Sequence, residues 1–350
     1  MRIALLASNE ECVPPRGYGG TELVVSLLTE ELVSRGHDVT LFATGCSQTS
    51  AKLVSEIDEP LRSTGEPARR WAAFDIRQLL QLRRRAAQFD IIHNHMGWQA
   101  LPYLEELECA VVSTNHNPIK SYDRPIYMQY KHLPYVSISD SYRRLNLPEH
   151  LNYVGTVYNG IDVSKFSMKP KQERSYLVFL GRLSHDKGTA ESIEIARRLS
   201  LRLILAGKVD PADQEYFDQF VKPHIDEESV KYIGEVGLEE KADLLSGAIA
   251  TVYPINFEEP FGLVMAESLA SGTPVMAFDR GSVRELLSDG ETAVIGKTTD
   301  EVLKRFPEIA SMQPEKCRRR VELLFSHQRM VDEYESLYAR MIGGRFERSA

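Results

Sequence analysis

Residues 257–267 read FEEPFGLVMAE, and this stretch decides how the chain is read. It follows an apolar, β-branched segment, TVYPI (251–255), that reads as a strand. Proline and glycine punctuate the strand's end. Proline suits a first helical position, so a helix is expected to start near Pro260 or Phe261. The first N–H groups of a helix lack intrahelical acceptors, which makes a helix start a seat for phosphate. Leu263 and Val264 are therefore candidate backbone donors, with Phe261 and Gly262 beside them. Glu259 and Glu267 are eight positions apart. If both are helical, they share one broad side about 12 Å apart, which suits two ends of an extended ligand better than one metal ion.

Working outward, strands and helices alternate. YLVFLG (176–181) is a strand, RLSHDKG (182–188) a loop, and 189–199 a helix. LRLILAG (201–207), VKYIGEV (230–236), GTPVMAF (272–278) and ETAVI (291–295) are further strands, and DPADQEYFDQFVKPHI is mainly helix. Towards the N-terminus the same alternation appears. RIALLAS (2–8) and DVTLFAT (38–44) are strands separated by a helix that Thr21 can cap. Residues 46–70 read as loop, and WAAFDIRQLLQLRRRAAQF as helix. The run Arg83–Arg85 near its end suits a solvated helix C-terminus, with a seat for an acidic lipid head as the sharper alternative.

DIIHNHM (90–96), AVVSTNHN (110–117), PYVSISD (134–140) and VGTVYNGID (154–162) are strands that end in hydrogen-bonding side chains. His93, His95 and His116 are among those side chains. Ligands of open α/β sheets sit beyond such strand ends. His93 and His95 fall on one strand face, but no acid or cysteine accompanies them, so no metal is expected. The pattern predicts an α/β chain of two doubly wound parallel-sheet domains facing across a cleft. Their boundary falls near the polar passage 164–175. The expected domains are 1–165 and 166–330, with 331–350 a C-terminal helix and tail that packs back toward the first.

Bulk properties narrow the function. The chain has 350 residues, 43% of them hydrophobic, and a formal charge of −8. That acidity argues against broad nucleic-acid binding. No stretch approaches a membrane span and the N-terminus is no signal peptide, so a cytoplasmic protein is expected, with peripheral membrane association left open. Cys12, Cys46, Cys109 and Cys317 show no zinc spacing and are expected as reduced thiols. Gly19 and Gly20 stand at a helix mouth without a GxGxxG pattern or an acid ending the next strand, so no dinucleotide fingerprint is present.

The motifs resemble those of the retaining nucleotide-sugar glycosyltransferases of family 4, also called glycosyl transferases group 1, which have the GT-B fold. EPFGLVMAESLASGTPVMAF (259–278) carries that family's paired acids. YGGTE (18–22), NGID (159–162), GRLSHDKG (181–188) and SVREL (282–286) match in order and spacing. The resemblance implies a metal-independent hexosyltransferase that needs no cofactor. It would move a hexose from a nucleoside-diphosphate sugar to an acceptor hydroxyl and give an α-glycoside.

The same resemblance implies the roles of single residues. Arg182 and Lys187, after Gly181, look like the cations at the donor diphosphate. Glu267 looks like the acid at the ribose hydroxyls, and Glu259 like the acid facing the transferred sugar. Gly19 and Gly20 look like the loop across the cleft, and the backbone near Val236 should meet the base. His95 looks like the histidine near the reacting centre. His116, Asn117 and Asn159 look like the sugar or acceptor region. Where many relatives have a GxGP loop, this chain has GKVDPAD (207–213), and contacts carried over there are open. Uridine, guanosine and adenosine all fit as the base, with uridine diphosphate hexose expected from family frequency. A small soluble acceptor is expected, with lipid-linked and polysaccharide acceptors as alternatives. A hydrolase or epimerase of the same fold, and a noncatalytic sugar-nucleotide binder, are the other readings.

Overall fold

In the computed structural model, described over residues 1–17, 19–145 and 151–344, the chain forms two compact units. Unit 1 is Met1–Gly160 with the segment from His327 on, and unit 2 is Ile161–Ser326. The chain thus changes unit slightly before residues 165 and 330.

Unit 1 holds a seven-stranded parallel sheet in the order β3-β2-β1-β4-β5-β6-β7. Its strands are β1 Arg2–Leu6, β2 Asp38–Phe42, β3 Lys52–Val54, β4 Ile91–Asn94, β5 Ala110–Asn115, β6 Pro134–Ser137 and β7 Asn152–Thr156. The central strands are apolar on both faces because helices cover both, as parallel sheets require. Ile3–Leu6 and Ile91–Ile92 have no solvent exposure. The short strand β3 lies inside 46–70, which had read as loop. It is an edge strand with exposed Lys52 and Leu53, so it carries little of the apolar signal by which strands are recognised.

The helix His327–Ile342 belongs to unit 1 and packs on the helix Gly20–Ser34. Arg35 fastens the pair, donating to Asp332 at 2.7 Å and also pairing with Glu31 and Glu335. The helix Gly20–Ser34 begins two residues before the expected start, with Gly19 at its cap and no side-chain cap. Tyr18 of the YGGTE motif and the tail beyond residue 344 lie outside the described residues.

One expectation is corrected here. Cys12 and Cys46 are joined by a disulfide that ties the loop after β1 to the loop after β2, with their Cα atoms 5.6 Å apart. Positions 12 and 46 show no pairing signature in sequence. Two adjacent parallel strands bring their trailing loops together. Cys109 and Cys317 are not disulfide-bonded.

Unit 2 holds a six-stranded parallel sheet in the order β10-β9-β8-β11-β12-β13. Its strands are β8 Tyr176–Leu180, β9 Leu203–Ala206, β10 Val230–Tyr232, β11 Ala248–Tyr253, β12 Val275–Phe278 and β13 Ala293–Gly296. The stretch after Asp210 is helical but irregular, a short α-helical turn running into a π turn at Phe217–Val221. The order of each sheet places the first strand of its unit centrally, which is the doubly wound arrangement.

Candidate functional site

In unit 2 the site residues gather at the carboxyl ends of β8, β9 and β11. The helix after β11 spans Leu263–Ala270, later than the expected Pro260 or Phe261. Gly262 stops it from starting earlier. Its φ of 83° is left-handed, and a Cβ there would stand 2.6 Å from Met265 Cε and 2.9 Å from the Tyr253 hydroxyl. Residues 258–261 are instead loop, pinned to the turn at 281–282. Ser282 N–H donates to Glu259 O at 3.0 Å, Ser282 Oγ to Phe261 O at 2.8 Å, and Gly281 N–H to the Glu258 carboxylate at 2.6 Å. Glu259 is therefore not helical, and the helical spacing of the two acids does not apply. Met265 N–H is taken by Gly262 O at 2.9 Å. Leu263 and Val264 remain as first-turn N–H groups with no intrahelical acceptor.

Glu259 is buried and receives two donors on Oε2, the Lys187 ammonium at 2.7 Å and the Tyr253 hydroxyl at 2.5 Å. The Lys187 ammonium also lies 4.7 Å from the centre of the Phe257 ring, a favourable cation–π distance. Lys187 is delivered by a turn that passes hard against β11's end. At Gly188, φ is 73° and a Cβ would fall 1.9 Å from Pro254 O, so only glycine brings the two loops this close. Glu267, also buried, is paired with Lys241 of the helix Leu238–Ser246. Arg182, just past Gly181, stands 3.3 Å from Asp210 and 3.6 Å from Asp213. Val236 lies in the loop between β10 and the helix Leu238–Ser246.

The unit 1 residues form a second, different cluster. His93 is fully buried, and its ring nitrogens meet the Tyr338 hydroxyl at 2.6 Å and the Thr114 hydroxyl at 2.7 Å. Tyr334 reaches the same Thr114 at 3.0 Å. The His95 ring lies 3.9 Å from that of His93, and its Nδ1 is 2.9 Å from His116 Nε2. Burial pushes all three imidazoles below their ordinary range, His116 to about 4, so they are neutral near pH 7. His95 Nε2 is buried without a hydrogen-bond partner, and so is Asn159 Oδ1. Asn117 is exposed, and its carbonyl accepts the Tyr142 hydroxyl at 2.6 Å. Gly19 and Gly20 sit at the first turn of their helix, where the side chain of Glu22 is buried and takes a bond from Ser8 at 3.3 Å. Among the described residues no group of three His, Cys, Asp or Glu could hold a metal ion.

Tyr253, Lys241, Lys208, Asp210 and Tyr338 were not singled out from sequence. Tyr253 carried a usable signal, since it ends a strand six residues before Glu259. Lys241 and Tyr338 reach their partners only through the fold.

Two family models match adjoining parts of the chain. "Glycosyltransferase Family 4" matches residues 18–165, and "Glycosyl transferases group 1" matches residues 161–322. The chain belongs to this glycosyltransferase family. An uncharacterized glycosyltransferase of Methanocaldococcus jannaschii is 23% identical over 331 residues, covering 82% of this chain and 83% of the relative. Among solved structures, sucrose-phosphate synthase of Thermosynechococcus elongatus superposes with a TM-score of 0.81 at 18% identity, covering 98% of this chain and 99% of that one. Anabaena HepE in complex with UDP-glucose gives a TM-score of 0.75 at 14% identity, with coverage of 97% and 100%. These likenesses establish the GT-B fold for this glycosyltransferase, whose family uses nucleotide sugars. No helix among the described residues is long and apolar enough to cross a membrane.

Proposed function

We propose that this glycosyltransferase moves a hexose, with UDP-glucose as the first donor to try, to an acceptor hydroxyl with retention, giving an α-glycoside. One observation carries the reading: Lys187, Glu259 and Tyr253 meet beside the unpaired first-turn amides of Leu263 and Val264. A nucleoside diphosphate leaving a sugar gains negative charge. Fixed donors in a partly dry site stabilise that charge more in the transition state than before it. Lys187, Arg182 and the helix start supply such donors, and Glu267 suits the ribose hydroxyls. In this reading the bond from the anomeric carbon to phosphate oxygen breaks as the acceptor oxygen attacks from the same side. The acceptor proton passes to a phosphate oxygen. Glu259 orients the sugar by accepting its hydroxyls.

His95, neutral and with Nε2 unpartnered, suits a hydrogen bond to the sugar better than service as a proton carrier. Arg182 and Lys187 take the charge-neutralising part, so the reaction is expected to need no metal and to persist in EDTA. The HepE complex makes uridine the first base to try. A small soluble acceptor remains the first class to screen.

The test is a thermal-shift panel of UDP-, GDP- and ADP-sugars, since a ligand that binds only the folded form raises its apparent stability. An acceptor screen with the donor that shifts most would follow, with the anomeric configuration read by NMR. A β-linked product overturns retention. Free sugar released at full rate without acceptor supports hydrolysis instead, and binding without turnover over a broad screen supports a sensor.

A further inference from the structure

The loop Gly207–Asp213 replaces the glycine- and proline-containing loop of many relatives with GKVDPAD, and its charged residues are placed at the candidate phosphate corner. Lys208 Nζ stands 2.8 Å from Asp210 Oδ1, while Arg182 Nη1 stands 3.3 Å from Asp210 Oδ2. One carboxylate therefore bridges two cations. The backbone fixes this meeting, because Leu183 N–H donates to Lys208 O at 2.9 Å and Gly181 N–H to Ala206 O at 3.0 Å. A Cβ on Gly207, whose φ is 139°, would lie 1.8 Å from Gly181 O, so the two loops run in contact. Asp213 adds a second carboxylate. Its Oδ2 is buried, makes no hydrogen bond, and lies 3.6 Å from Arg182 Nη1.

Charges at this corner balance. Arg182, Lys187 and Lys208 are met by Asp210, Asp213 and Glu259. A diphosphate brings at least two further negative charges, which the corner must accommodate beside its own carboxylates.

We propose that Asp210 is a built-in counter-anion that holds Arg182 and Lys208 together in the empty site and is exchanged for the donor diphosphate, with Lys208 as a further phosphate-binding cation. The proposal rests on the donor reading above and adds to it two residues outside the family pattern. Burial works against ionisation of Asp210, but the bonds from Lys208 and Arg182 hold its carboxyl below the ordinary range, so the counter-anion is charged at neutral pH. Burial pushes Asp213 the other way.

A counter-anion and a positioning residue make opposite predictions. If Asp210 competes with phosphate, neutralising it strengthens diphosphate binding. If it only orients Arg182, neutralising it weakens binding. Titration calorimetry with UDP, GDP and ADP on the full chain separates them. Relative to wild type, Asp210→Asn is expected to lower the Kd of the preferred nucleotide about 3–10-fold, and Lys208→Met to raise it about 10-fold. The dependence of Kd on salt should become steeper in Asp210→Asn and shallower in Lys208→Met, a readout that a structural role does not move. Asp210→Ser serves as the second variant, and ligand-free melting temperatures confirm that each protein is folded.

Weaker or unchanged nucleotide binding in both Asp210 variants overturns the counter-anion, and wild-type affinity in Lys208→Met overturns the added cation. Both results leave the donor reading in place, because wild type still binds nucleotide. Failure of wild type to bind any of the three overturns the donor reading and this proposal together.

Discussion

The charged corner of unit 2 and the histidine stack of unit 1 solve opposite problems. The corner gathers six charged side chains, all but the buried Glu259 partly exposed, and sets each against a neighbour of opposite charge: Lys187 is 17% exposed and Arg182 33%. The stack gathers three imidazoles and two tyrosines, all but the half-buried His116 with almost no exposure, and keeps the imidazoles uncharged. In the proposal above the corner exchanges one anion for another. The stack is tied together by hydrogen bonds among His93, Thr114, Tyr334 and Tyr338, and His95 Nε2 is buried without a partner. In physical terms, unit 2 is organised to respond to charge and unit 1 to hold shape. A set of variants can break or sharpen that contrast.

The largest effect is expected at Lys187. In the proposed reading Lys187→Ala removes one donor to the departing phosphate, and it leaves the buried Glu259 carboxylate without the Lys187 ammonium and still bonded to Tyr253. Loss of one such donor typically costs about 3 kcal/mol of transition-state stabilisation, roughly 100-fold or more in kcat/KM. Arg182→Ala should fall in the same range. Steady-state kinetics with the best donor is the check. Near wild-type turnover in both variants would remove the charge-exchange account of unit 2.

Next in size is the Cys12–Cys46 disulfide, which closes a sequence separation of 34 residues in unit 1. A disulfide typically stabilises by about 2–4 kcal/mol, largely through the unfolded chain. A dithiol reductant should therefore lower the denaturant midpoint, and the Cys12→Ser, Cys46→Ser double variant should match the reduced protein. Nucleotide affinity, which the proposed reading assigns to unit 2, is expected to stay the same. A midpoint insensitive to reductant would mean that the bond does not constrain unit 1.

How much of this was legible in sequence follows from the range of the forces involved. Gly262, Glu259, Glu267, Arg182 and Lys187 could be singled out as candidates because each stands in a short motif whose backbone geometry is local. The alternation of apolar strands and amphipathic helices predicted both parallel sheets, since burial on two faces leaves uninterrupted runs such as Ile3–Leu6. The helix start was misplaced by a few residues, because the left-handed turn at Gly262 is imposed by Met265, Tyr253 and the 281–282 loop. The disulfide was misread because two thiols brought together by neighbouring parallel strands leave no spacing signature. The bond from Tyr338 to His93 joins residues 245 positions apart, and no local pattern encodes it.

The pH response tests the stack as a whole. In the folded protein His93, His95 and His116 protonate only well below the ordinary histidine range, His116 near 4. The unfolded chain protonates them near 6.5. The neutral imidazoles therefore contribute their full stability above about pH 6.5. Between about 6.5 and 4 the unfolded state binds protons that the folded state refuses, and stability falls. A progressive loss of stability is expected over that interval, with a shallower slope in His116→Asn. Equilibrium denaturation at stepped pH is the measurement. A stability flat across that range would show that the folded stack accepts protons and is not the closed, neutral element described.

The smallest effect separates shape from chemistry within the stack. Tyr338→Phe removes the hydroxyl 2.6 Å from His93 Nδ1 and adds no bulk. His93 keeps Thr114 on its other nitrogen, but one buried polar atom loses its partner, at a cost of about 1–2 kcal/mol. Tyr334→Phe should cost less, because Thr114 retains His93. If the stack acts by holding the His95 ring in place, Tyr338→Phe lowers the melting temperature by a few degrees, leaves nucleotide Kd unchanged, and reduces kcat only modestly. A fall in kcat as deep as that of Lys187→Ala, with stability intact, would instead place His93 in the chemistry. The contrast between a charged, exchanging corner and a neutral, supporting stack would then have to be redrawn.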